Sequence, residues 1–208
     1  MKKANFIFGT VVAMLLLAAC NNKPAETTET TTTPAAAEAA TYTLDSTSTV
    51  KWKGVMLGVK EHYGTVKLKE GSLSTANGQV TGGNFTVDLT AISPADSAYN
   101  AQGTKEKLVG HLSSPDFFDV ANNPTATFTI TSVNGTEAKG TLTVRGKSNE
   151  ETVKNITLTE ANGTVNATGT LVFDRKKYGV AFDMPMKDMV ISNDIEIQVS
   201  LTGTKAAQ

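Results

Sequence analysis

The chain has 208 residues, 20 acidic and 19 basic side chains, and a formal net charge of −1. It carries no excess or run of Lys and Arg able to neutralise a phosphate backbone, which excludes nucleic acid as a partner. One cysteine excludes an intramolecular disulfide and a thiolate metal cluster, and two histidines far apart in the sequence have no spacing that favours a metal. No HExxH, Gly-x-Ser-x-Gly, phosphate-binding loop or dinucleotide glycine pattern occurs, so neither enzymatic chemistry nor a cofactor is expected.

At the start, Lys2 and Lys3 precede an apolar run over 6–17, broken only by Gly9 and Thr10. This has the form of a secretory signal and is short for a membrane span. Leu17-Ala18-Ala19-Cys20 resembles a bacterial lipobox. The expected processing is removal of 1–19 and lipid attachment at Cys20. Two or more acyl chains, at about 0.8 kcal/mol per buried methylene, anchor a protein stably where one holds marginally. Membrane is therefore the expected partner of this end, through the lipid. Asn21, Asn22 and Lys23 form no acidic export patch, which favours the periplasmic face of the outer membrane in a bacterial envelope.

Residues 20–41 are rich in Thr, Ala, Glu and Pro, as in Thr30-Thr31-Thr32-Thr33-Pro34. Such a stretch lacks the apolar surface that would offset its ordering entropy and reads as a disordered tether. Asp45-Ser46-Thr47 and Asp96-Ser97-Ala98 resemble bacterial O-glycan acceptors, although Asp-Ser also simply starts turns.

From 42 to 208 the length suits one domain, and period two dominates it. Val165, Ala167, Gly169, Leu171 and Phe173 alternate with mostly polar neighbours, and Ile195, Ile197, Val199 and Leu201 repeat the pattern. Val66 and Leu68, Phe85 to Leu89, Phe128 and Ile130, and Leu142 and Val144 do so again. Asn77-Gly78, Asn134-Gly135 and Asn162-Gly163 each separate two such segments and predict hairpins whose turn residues both take positive φ. The fold class is all-β and antiparallel. A meander of about eight strands can close into a barrel with room for a small ligand, although periodicity alone leaves an open sandwich possible.

The rhythm breaks after Leu89. Ile92-Ser93-Pro94-Ala95-Asp96 is rich in turn formers, and 102–112 predicts a short helix with Leu108, His111 and Leu112 on one side, ended by 113–116. In the segment 111–128, adjacent Phe117 and Phe118 cannot share one strand face, so a corner with two apolar neighbours is expected. A His111 pair with Asp116 or Asp119 could in principle act as a general base, but no nucleophile accompanies it, and a histidine bracing the corner is the preferred reading.

The order His111-Leu112-x-Ser114-x-Asp116-Phe117-Phe118-Asp119, then Pro124-x-Ala126-x-Phe128, resembles the signature of the YceI-like family. So do Gly140-Thr141-Leu142-Thr143 with Gly146, and Asp174-Arg175-Lys176-Lys177-Tyr178-Gly179-Val180. That resemblance implies a bacterial envelope protein with a lipocalin-like barrel that binds polyisoprenoids or similar lipids. One departure follows Gly146: 147–153 lacks the family's usual pattern, and a loop of different conformation is expected there.

Under this resemblance the expected partner is an apolar, lipid-like small molecule such as a polyisoprenoid, isoprenoid quinone or fatty amide; a homodimer is a further expectation. Candidate ligand-binding residues are Trp52, Phe85, Phe128 and Phe173, which have inward parity, with Phe117 and Phe118 at the corner. Arg175 and Tyr178 are candidates for holding a polar head, against the plainer reading of Arg175 as an ion-pair partner of Asp174, Asp183 or Asp116. Met184, Met186 and Met189 around Pro185 form an adaptable apolar patch that could edge an entrance. The rival function is an envelope interaction or stress-related module that uses the barrel as a scaffold.

Overall fold

The computed structural model describes residues 39–183 and 190–207; the expected signal, Cys20 and the methionine patch 184–189 lie outside the described residues. The elements in order are β1 (Ala39–Leu44), β2 (Thr49–Leu57), β3 (Lys60–Ala76), β4 (Gln79–Pro94), α1 (Lys105–Ser113), β5 (Thr125–Asn134), β6 (Glu137–Val144), β7 (Lys147–Ala161), β8 (Thr164–Asp174) and β9 (Val190–Lys205), with a 3-10 turn at Arg175–Tyr178. From β2 to β9 each strand pairs antiparallel with the next, and β9 returns to pair with β2. This closes an eight-position meander barrel. The ninth segment, β1, continues the place of β2: β9 pairs with β2 over 190–200 and with β1 over 203–205, and β3 pairs with them over 60–67 and 72–76.

The break between β1 and β2 is built by Asp45, whose carboxylate accepts from the Thr47 amide at 2.8 Å and its hydroxyl at 2.5 Å. Pairing begins earlier than composition suggests. Ala39, Ala40 and Thr41 ladder with Ala76, Thr75 and Ser74, so the folded part starts three residues before position 42. Small polar-rich segments carry no burial signal of their own, and a neighbouring strand holds them by main-chain hydrogen bonds. Among the described residues, every ladder and both core clusters are made within 39–205, and 36–208 form one compact unit.

Two Asn-Gly turns form as expected, with φ of 53° and 69° at Asn77 and Gly78 and of 51° and 75° at Asn162 and Gly163. The third is shifted: Asn134 pairs with Glu137, so the turn residues are Gly135 and Thr136, and of these only Gly135 has positive φ, at 58°. The expected loop after Gly146 is instead strand. Arg145 and Gly146, at φ 51° and 68°, make a two-residue turn, and 147–153 pairs with β6 from Val144↔Lys147 to Ala138↔Val153. Its inward positions Asn149 and Glu151 are polar, which hid the alternation.

Register shifts interrupt β2/β9 at Gly54/Met56, β5/β6 at Ile130/Ser132 and β7/β8 at Lys154/Thr157, with three more between β3 and β4. Such bulges add the local twist and bend that closure needs. In a meander, alternate connections lie at opposite ends. The tight turns at 77–78, 135–136 and 162–163 close one end. The opposite rim carries the β2–β3 hairpin, the α1 connection, the β6–β7 turn and the β8–β9 connection. One core cluster fills toward each end, around Val165 and Leu73 near the tight turns and around Phe128 and Phe173 near the rim.

Candidate functional site

Inward side chains do not fill the barrel. A cavity of about 190 Å³ runs between the two core clusters. On β9 its wall extends from Ile195 to Leu201, roughly 20 Å at about 3.3 Å per residue. Trp52, Phe85, Phe128 and Phe173 stand in the wall, together with aliphatic side chains from the surrounding strands. Leu112 of α1 and Phe118 of the corner contribute from the rim end.

Among the described residues the lining contains no titratable side chain, and its two threonines, Thr127 and Thr168, sit at the outward parity of their strands. The Trp52 indole N–H is already engaged, donating to the Thr65 carbonyl at 3.3 Å. A buried water needs about two to four polar partners, which such walls do not provide. The space therefore suits hydrocarbon. Part of the room comes from Gly140: a methyl group there would collide with the Phe128 ring, which lies over this glycine.

Phe117, a candidate ligand-binding residue of the corner, stands outside the cavity lining. Its ring lies 4.8 Å from His111, edge-on, and 5.4 Å from Phe182; His111 is also edge-on to Phe182 at 4.6 Å. This aromatic cluster ties α1 to the β8–β9 connection. The His111 Nε2 lies 3.6 Å from Asp116 Oδ2 across a partly exposed pair, which braces the corner and stands outside the cavity lining. Asp119, at φ 47°, turns the corner and accepts from the Asn122 side chain at 3.0 Å. The corner thus separates the two phenylalanines, one inward and one across the rim.

Arg175 and Tyr178 also stand outside the cavity lining. Arg175 is 1% exposed, and its guanidinium donates to the carbonyls of Ser192, Val180, Phe182 and Ile191 and to Asp183 Oδ1, at 2.7 to 3.4 Å. With its donors so engaged, it pins both sides of the β8–β9 connection and has none left for a ligand head. Of the three carboxylates considered, Asp183 is the partner; Arg175 and then Lys176 hold its carboxyl below the ordinary range. Tyr178 is fully buried, packs edge-on against Phe173 at 5.3 Å and donates to Glu151 Oε1 at 3.0 Å. Burial, then the Glu151 carboxylate, raises its phenol above the ordinary value.

A second polar group at the rim was not read from the sequence. Asp96, 7% exposed, accepts from the Tyr99 hydroxyl at 2.7 Å and from the amides of Ala98 and Tyr63, and lies 3.2 Å from His62 Nδ1. Burial pushes its carboxyl up, but these hydrogen bonds together outweigh it and hold it below the ordinary range. The group fixes the segment leading into α1 against β3. Only the Asp-Ser turn pattern hinted at it.

Residues 42–203 match the YceI-like domain family. The chain belongs to that family. A UPF0312 protein of Staphylococcus epidermidis is 28% identical over 99 residues, covering 43% of this chain and 57% of that protein, little more than half its length. The YceI-like barrel also resembles the crystal structure of BcnA from Burkholderia cenocepacia, with a TM-score of 0.61 at 19% identity over 77% of this chain and 100% of that one. A polyisoprenoid binding domain from Saccharophagus degradans, described as implicated in plant cell wall breakdown, gives a TM-score of 0.52 at 13% identity over 79% and 98%. At these identities the likeness establishes the fold.

Proposed function

We propose that this YceI-like barrel binds an elongated apolar molecule, of the polyisoprenoid, isoprenoid-quinone or fatty-amide kind, and that the chain is lipid-anchored at Cys20 on the periplasmic face of a bacterial outer membrane. The observation that carries the ligand reading is the cavity itself, long, walled by hydrocarbon and, among the described residues, without a titratable side chain. Each methylene that leaves water for such walls contributes about 0.8 kcal/mol. The Saccharophagus degradans domain, similar in fold, is a polyisoprenoid binding domain, which supports the same ligand class. The anchor and location rest on Lys2, Lys3, the apolar run 6–17 and Leu17-Ala18-Ala19-Cys20.

The mechanism is sequestration. The cavity removes the apolar chain from water, while α1 and the corner cover its rim end through Leu112 and Phe118. Mass spectrometry of an organic extract of the purified barrel tests this. Recovery of an apolar species in near-stoichiometric amount is expected; a protein that yields none and takes up none when offered would contradict it.

A further inference from the structure

The rim carries an apolar feature that the cavity does not explain. Leu57 and Val59, at the tip of the β2–β3 hairpin, are 52% and 50% exposed, and Val190, the ladder partner of Leu57 at the start of β9, is 53% exposed. Tyr63, 44% exposed on β3 close by, adds an aromatic body with a polar tip, a residue type suited to a membrane interface. These residues sit on the seam that also walls the cavity. Along β2 and β9 the pairs Leu57↔Val190, Met56↔Ile191, Gly54↔Ile195 and Trp52↔Ile197 lead from the tip to the cavity wall.

We infer that this hairpin tip and the start of β9 form a docking surface for a phospholipid bilayer, through which the rim meets the membrane. The inference deepens the ligand-binding reading, since a docked rim lets an apolar chain pass between bilayer and cavity with little exposure to water. Area argues against a second copy of the chain as occupant: three half-exposed aliphatic side chains offer on the order of a few hundred Å², short of the roughly 800 Å² per partner of a stable interface. Charge argues for insertion over attraction to anionic lipid. Lys60 is followed by Glu61, and Lys53 is paired with Glu196 at 3.0 Å.

Chain length permits the arrangement. The strand pair Ala39↔Ala76 puts the entry of the chain beside the Asn77-Gly78 turn, at the end opposite the rim. Between Cys20 and Ala39 the backbone can span at most roughly 65 Å. A strand of the 16 residues of β9, tilted as in such barrels, rises roughly 40 Å. An anchored barrel can therefore turn its rim to the membrane that holds it.

The test uses the barrel comprising 36–208, without a lipid, and vesicles of pure phosphatidylcholine. The parent should co-sediment with the vesicles, and Leu57→Ser/Val59→Ser should weaken this by about tenfold or more while taking up a fluorescent fatty-acid probe as the parent does. Retained uptake with lost sedimentation separates the docking surface from the cavity. A parent that stays in the supernatant would overturn the inference, as would a double variant that sediments like the parent. A parent that is dimeric in solution and made monomeric by the two changes would overturn it too, by assigning the patch to a second copy.

Discussion

Arg175 shows how a residue that looks made for a ligand can belong to the frame. Its charge, its neighbour Asp174 and its place near the rim all suit an anionic head, yet its donors converge on main-chain carbonyls from 180 to 192 and on Asp183. Lysine keeps the charge but not the planar fork, so Arg175→Lys leaves several buried carbonyls without a donor. A loss of about 3 kcal/mol in unfolding free energy is expected, read from the urea midpoint; a variant as stable as the parent would return Arg175 to the ligand reading. Asp96 carries a pH dependence of definite sign. Its folded carboxyl sits below the ordinary value of about 4, so its contribution is fully present above that range and is lost as pH falls through the folded value. Asp96→Asn should lower stability at neutral pH and flatten the acid limb of the stability curve below about pH 4. Parity identified Trp52, Phe85, Phe128 and Phe173 as inward, because alternation is a local property of a strand. It could not reveal the partners of Arg175 or Asp96, which are carbonyls and amides brought together by chain closure.

Among elements, α1 and the corner after it set the rim end of the cavity. Thr104 caps α1 by accepting from the Lys107 amide, and the helix has no fully buried residue; it is placed through the half-buried Leu112 and the aromatic cluster of His111, Phe117 and Phe182. A cover held this lightly governs exchange more than folding. Leu112→Ser should change unfolding free energy by about 1 kcal/mol or less and speed dissociation of a bound apolar probe roughly tenfold in stopped-flow displacement. The helix was legible because Leu108, His111 and Leu112 recur at helical spacing, and the corner because Phe117 and Phe118 adjoin. The β6–β7 hairpin was not: Arg145 occupies a positive-φ turn position usually given to Asn, Asp or Gly, and the inward Asn149 and Glu151 break the apolar alternation of β7. Glu151 is polar there because Tyr178, from a 3-10 turn some 25 residues later, folds over it.

At the scale of the molecule, closure was the feature the strand pattern left open. A sandwich and a barrel have the same alternation, and what separates them is the β2–β9 seam between the first and last full strands of the meander. That seam also holds the cavity wall and leads to the exposed tip, so closure, ligand room and rim are consequences of one pairing. The central claim is that the interior binds an apolar molecule because it is unfilled. Ala167 lines the cavity on β8, whereas Val172 of the same strand is 50% exposed. Titration of a fluorescent fatty-acid probe into the parent, Ala167→Phe and Val172→Lys tests the claim most directly. Uptake by the parent and Val172→Lys, with a loss of about a hundredfold in affinity for a folded Ala167→Phe, is the predicted result; equal uptake by all three would place the probe elsewhere and contradict the account.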